Sequence, residues 1–198
     1  MKPLLDRGFS GDSDEDFPIG PRKSAAEIAR RAIILCCVAA SPKFEPGEFN
    51  DWLRDQQLWG EVSPIELELF TSKSPTERQN RNAEWRSEAL QVLLWSIGKV
   101  ASLPPITEQC APGMLDCIPA PGEDTSDFIA SAQLRSDSEI DEALIAIVEA
   151  HWQIRNEQAY PDEKAAPMDR GVVVERHWAL EWIVNMDNEP WDQTPLNT

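Results

Sequence analysis

The sequence predicts an all-α fold, a single compact domain of six or seven helices with irregular connections. Three observations carry that expectation. Capping boxes recur along the chain, with Ser or Thr three residues ahead of Glu or Gln at Ser24/Glu27, Ser63/Glu66, Thr76/Gln79 and Ser136/Glu139. Each satisfies two orphan donors of a helix start at once. The segments behind them place apolar residues three and four apart, the helical period. No stretch alternates apolar and polar residues for long, as a half-buried strand does.

Residues 1–23 hold Gly8, Gly11, Pro18, Gly20 and Pro21 with little apolar periodicity, and read as an N-terminal tail ahead of a helical domain spanning 24–198. The first helix starts at Ser24 and is ended by Pro42 and Pro46. A short helix is expected over Glu48 to Leu58, carrying Phe49, Trp52 and Leu53. Ser63-Pro64-Ile65-Glu66 adds a proline at the first helical position, where its missing N–H costs nothing. The helix from Thr76 runs to near Gly98. Residues 102–123, with five prolines and two glycines, form an irregular connection. Short and long helices then follow over Asp124 to Ala132 and from Ser136 to about Gln158. Pro161 to Arg170 is a loop, Val172 to Met186 the last helix, and Pro190 to Thr198 a tail containing Trp191. The β-branched Val172-Val173-Val174 favours a strand locally, but the pattern after it is helical.

Composition narrows the function classes. The chain has 198 residues and a net charge of −17. Residues 1–99 hold 13 basic and 16 acidic side chains, whereas residues 100–198 hold 5 and 19. The acidity therefore belongs to the second half. A field of that sign repels phosphate backbones, so nucleic acid is not an expected partner, whereas a basic protein is. The simpler role of such charge is solubility. The apolar run Ala32 to Ala40 has nine residues, against about 20 for a membrane span, so no membrane partner is expected. It starts too late, and behind too acidic a stretch, for a secretory signal, which makes the cytoplasm the expected location. Cys36, Cys37, Cys110 and Cys117 are expected to be reduced there.

Helical spacing also places charged groups among apolar ones. Arg86 shares a stripe with Leu90, Leu93 and Ile97, and Arg176 shares one with Val172, Ala179 and Ile183. Glu84, Glu88 and Gln91 form the opposite, polar row of the helix from Thr76, continued by Trp95. His177, Glu181, Asn185 and Asn188 form the polar row of the last helix, and Trp178 and Trp182 lie one turn apart. His151 falls on the stripe of Ile140, Leu144, Ile147 and Ile154, making it the more buried of the two histidines. A buried guanidinium needs a partner. Glu175 is the candidate that would tie the helix from Thr76 to the last helix.

Several pieces share an order and spacing with a known family. They are Arg30-Arg31-Ala32, Trp52-Leu53 to Leu58-Trp59, and Trp85-Arg86 with Ala89-Leu90 and Leu93-Leu94-Trp95, then Gly98 and Leu103-Pro104. Glu175-Arg176-His177 with Ala179-Leu180 and Trp182, a closing Trp191-Asp192 and Thr198 complete the set. Over residues 24–198 the chain resembles a bacterial family known as domain of unknown function 4272. The resemblance implies a small, mostly helical bacterial protein of the cytoplasm, and no activity.

Particular chemistries are weakly signalled. Cys110, Cys117, His151 and His177 are zinc-ligand types, but none pair at the spacing of two to five residues typical of such sites. No metal and no cofactor is therefore expected. A thiol nucleophile would be Cys110 with His151 or His177, without a local activating signature. Glycine-rich phosphate loops and nucleophile elbows are missing. Two readings remain: an acidic helical interaction module that docks or inhibits a basic protein, which the charge asymmetry favours, and, as the alternative, a small-molecule binder or enzyme. The pocket of the second would draw on Arg86, Trp95, His151, Glu175, Arg176 and Trp178. Gathering of those six around a cavity would favour the second reading.

Overall fold

In the computed structural model, residues 21–110, 116–159, 168–184 and 189–196 are described. They form seven α-helices and no strand: α1 (Ala25–Ala40), α2 (Asn50–Asp55), α3 (Pro64–Thr71), α4 (Glu77–Ser96), α5 (Ser126–Ala130), α6 (Asp137–Ala159) and α7 (Arg170–Val184). Short 3-10 turns cover Ser41–Lys43, Trp59–Glu61 and Trp191–Gln193. Among the described residues, no helix is long and apolar enough to cross a membrane.

The helix starts follow the sequence. Ser24, Ser63 and Thr76 each close a capping box with Glu27, Glu66 and Gln79. Ser136 and Glu139 exchange the same pair of bonds at the head of α6. The α4 helix ends in a Schellman motif, in which Gly98 at φ +73° turns the chain so that its N–H reaches Trp95 O and that of Lys99 reaches Leu94 O. The α2 helix ends on the same bonds, from Gln57 N to Arg54 O and Leu58 N to Leu53 O, but Gln57 holds the left-handed position at φ 60°. No glycine announces that stop, and the helix is shorter than expected from its apolar residues. Val172 to Val174 are helical, because the surrounding α7 buries Val172 and Val173 completely.

The four long helices pack in the order α1, α4, α7, α6, with α3 and α5 laid against α1. Ile28, Ala29, Ala32, Ile33, Ile34 and Leu35 of α1 are fully buried, so this helix is enclosed on most sides. That is why its nine-residue apolar run needs no polar face.

On α4 the polar row divides: Glu84 is exposed, whereas Glu88 and Gln91 are buried, and Trp95 is covered, as a tryptophan on that side implies. The buried part of the row lies under the connection after α4, which Glu88 and Arg176 bind directly, and beside Arg135. The closing tail packs on the bundle: Trp191 is 4% exposed and stacks edge-on against Trp182 at 5.3 Å. At the other end, Lys23 N donates to Ile183 O, and Arg22 pairs with Asp141 at 2.6 Å. The loop expected over Pro161 to Arg170 lies mostly outside the described residues.

Candidate functional site

The polar residues of α7 meet those of α4 in two separate ion pairs. Glu175 accepts from Arg86 Nη1 at 3.0 Å, which is the expected tie between these helices. The Arg86 guanidinium also stacks over the Trp178 ring at 4.7 Å. Burial pushes the Glu175 carboxyl above its ordinary value, opposed by Arg86. Arg176, in contrast, takes Glu88, donating from Nη2 at 2.9 Å and Nε at 3.2 Å to one carboxylate oxygen. Its remaining bonds go to the carbonyls of Pro104 and Glu108, and the other Glu88 oxygen accepts the Cys110 N–H at 2.6 Å. This second pair is almost wholly enclosed, and it pins the 98–110 connection onto the bundle.

His177 does not belong to a solvated row. It is fully buried, whereas His151 is 7% exposed, so the expected order of burial is reversed. The two rings bring their Nδ1 atoms to 2.8 Å, and His177 Nε2 lies 3.1 Å from Glu181 Oε1. Glu181 Oε1 can accept the Nε2–H of His177, and in that tautomer His177 Nδ1 accepts from His151 Nδ1–H. Burial, then the neighbouring His177, Arg155 and Arg170, hold the His151 pKa below its ordinary value. Trp95 sits elsewhere, under the Arg135 guanidinium at 4.9 Å. The six candidate residues thus fall into four groups of contacts rather than one pocket. Only Arg86, Glu175 and Trp178 come together.

That trio leads to a cleft of about 370 Å³ between α3, the first half of α4 and the C-terminal 3-10 turn. Arg86 forms part of its wall, with Glu66, Trp191 and Asp192, over the apolar Leu69 and Ala83. Asp192 fixes the turn against the start of α3, accepting from Ser63 Oγ at 2.8 Å and Ile65 N at 3.0 Å. Trp178 Nε1 donates to Trp191 O at 3.0 Å. Buried Arg31 pairs with buried Glu66 and lies 5.1 Å over the Trp191 ring. Three atoms of this group have no hydrogen-bond partner: Glu66 Oε1, Arg31 Nε and Trp191 Nε1.

Sequence reasoning missed Arg31, Glu66, Trp191 and Asp192 as a site. Each carried another signal: a charge just ahead of an apolar run, a capping box, and a closing Trp-Asp pair. Their meeting depends on the return of the chain end to α3, which no local pattern encodes.

A second cleft, of about 440 Å³, lies between α1, α2 and residues 116–123, with Cys36, Phe49, Trp52 and Ile118 in its walls. Burial raises the Cys36 thiol to about 12, and that of Cys110 to about 11. Both stay protonated near neutral pH. The nucleophile pairing of Cys110 with a histidine is not assembled, since His151 and His177 bond one another. No group of three or more metal-ligand side chains is brought together among the described residues.

No curated protein and no solved structure matches the chain. Residues 16–194 match a family described as Domain of unknown function (DUF4272). The chain belongs to that family, and the match takes in both halves of the Arg86–Glu175 tie and the Trp191 turn.

Proposed function

We propose that the protein binds a small polar molecule in the cleft between α3, α4 and the Trp191 turn. The observation that carries this reading is the cleft itself, whose wall holds Glu66, Arg86, Trp191 and Asp192, with Glu66 Oε1 and Trp191 Nε1 buried and without a hydrogen-bond partner. A buried polar atom without a partner costs about 1–3 kcal/mol, so such atoms are rarely left open in a native protein. A ligand that carries both donors and acceptors would lie against the two wall side chains, Glu66 and Trp191, that hold unpartnered atoms. A carboxamide or an amino-carboxylate has that pattern, and the Arg86 guanidinium at the wall suits an acid group. Leu69 and Ala83 leave room for an apolar substituent. The family resemblance further supports placing this activity in the cytoplasm of a bacterium.

Calorimetry with a panel of free amino acids, their amides and small dicarboxylates tests the reading. At least one class should bind the wild-type protein. Trp191→Phe and Glu66→Gln, checked for folding by circular dichroism, should weaken it by about tenfold, the loss of one or two hydrogen bonds. Binding undiminished in both variants, or none across the panel, would overturn the proposal.

A further inference from the structure

The α6 helix packs on α7 through Ile140, Ile147, His151 and Ile154, leaving the opposite side open. On that side Glu142, Ile145, Glu149 and Trp152 follow one another at steps of three, four and three residues, which places them on one line. Ile145 is 67% exposed and Trp152 51%. Single exposed hydrophobes need no explanation, but two on one helix line, two turns apart, form an unpartnered seam. The spacing is that of the apolar seam of a paired helix.

The charges along the seam select the occupant. Asp137 and Asp141 share the single charge of Arg22, and Glu139 pairs with Arg135. Glu142 and Glu149 contact only the neutral Ser138 and Gln153 in the same helix, and neither forms an ion pair among the described residues. The Arg155 cation lies off this line, about a quarter-turn away. A second copy of the chain would bring the same glutamates against these, a like-charge contact that disfavours it. We propose that this face docks a basic amphipathic helix of another protein. Its apolar residues would pack on Ile145 and Trp152, and its lysines or arginines would face Glu142 and Glu149. Tryptophan commonly anchors such interfaces because it buries a large area with few rotamers to lose. This surface is independent of the cleft, and it localises the expectation that the acidic half meets a basic protein.

The test uses a synthetic amphipathic helix with leucine on one face and lysine on the other, titrated against the full chain while calorimetry is read. Ile145→Ser combined with Trp152→Ala changes only exposed side chains and should weaken binding by about tenfold or more. Glu142→Gln with Glu149→Gln should weaken it and flatten its salt dependence. Glu45→Gln with Glu48→Gln, also exposed but away from α6, should leave binding unchanged. Equal losses from both glutamate pairs would show charge attraction without a site and overturn the proposal. So would undiminished binding by the apolar double variant, or sedimentation showing a dimer that Trp152→Ala dissolves.

Discussion

Glu88 and Glu175 perform similar bonding in different surroundings, and the difference is measurable. The Arg176–Glu88 pair has side chains 2% and 1% exposed, against 15% each for Arg86 and Glu175. Glu88→Ala would leave a guanidinium buried without its carboxylate and free the Cys110 N–H as well. Such a break costs about 3–5 kcal/mol. Glu175→Ala should cost less, about 1–2 kcal/mol, because Arg86 keeps its stack on Trp178 and reaches solvent through the cleft. Urea denaturation of the two variants gives the comparison. A larger loss for Glu175→Ala would mean that the partly exposed pair, not the enclosed one, holds α4 to α7. The sequence identified both arginines as charges on apolar stripes, but assigned one carboxylate where the structure uses two. Glu88 was hidden by its apparently polar row, since helical spacing reports which residues share a face and not what covers it.

Among the elements, α4 and α7 approach closely at one glycine. A methyl group on Gly171 would overlap the Trp85 ring. Gly171→Ala must therefore displace the indole or the first turn of α7, even though alanine is the better helix former. The expected net effect is a destabilisation of about 1–3 kcal/mol, as for overpacking elsewhere. Thermal denaturation of Gly171→Ala beside Trp85→Leu with Gly171→Ala checks the cause. If the added methyl acts through the ring, the second substitution offsets part of the loss. If both variants lose the same stability, the glycine acts through backbone conformation instead. Helix starts were legible at this scale because a capping box is closed within four residues. The end of α2 was not, because Gln57 occupies the left-handed position usually marked by glycine.

Across the whole molecule, buried His151 makes stability depend on pH. Folded His151 has a pKa below the ordinary 6.5, so it stays neutral where the unfolded chain already takes up a proton. Its contribution is present above about pH 6.5 and is lost as the pH falls below that value, with a slope of up to about 1.4 kcal/mol per pH unit. Glu175 acts in the opposite sense at lower pH. Its carboxyl is raised above 4.5, which favours the folded state below that value and loses the contribution as pH rises through the folded pKa. Denaturant titrations between pH 7.5 and 5.5 should show stability declining (a window of about one unit either side of the histidine value). His151→Gln keeps a donor for His177 Nδ1 and should flatten that decline. A decline of the same slope in the variant would assign it to other groups.

The sequence by itself determined the class of fold, the helix starts and the helix-by-helix placement of charge, because each depends on residues within about two turns of one another. It also carried the family resemblance, through pieces whose order survives without any knowledge of their contacts. The tertiary structure decided which carboxylate meets which arginine, which of the two histidines is enclosed, and that the end of the chain returns to close a cleft on α3. Those outcomes depend on which faces the neighbouring helices cover. Glu88 and His177 were each placed in a polar row. Each became interior because an element distant in sequence packs over it, and burial is a property of the assembled bundle.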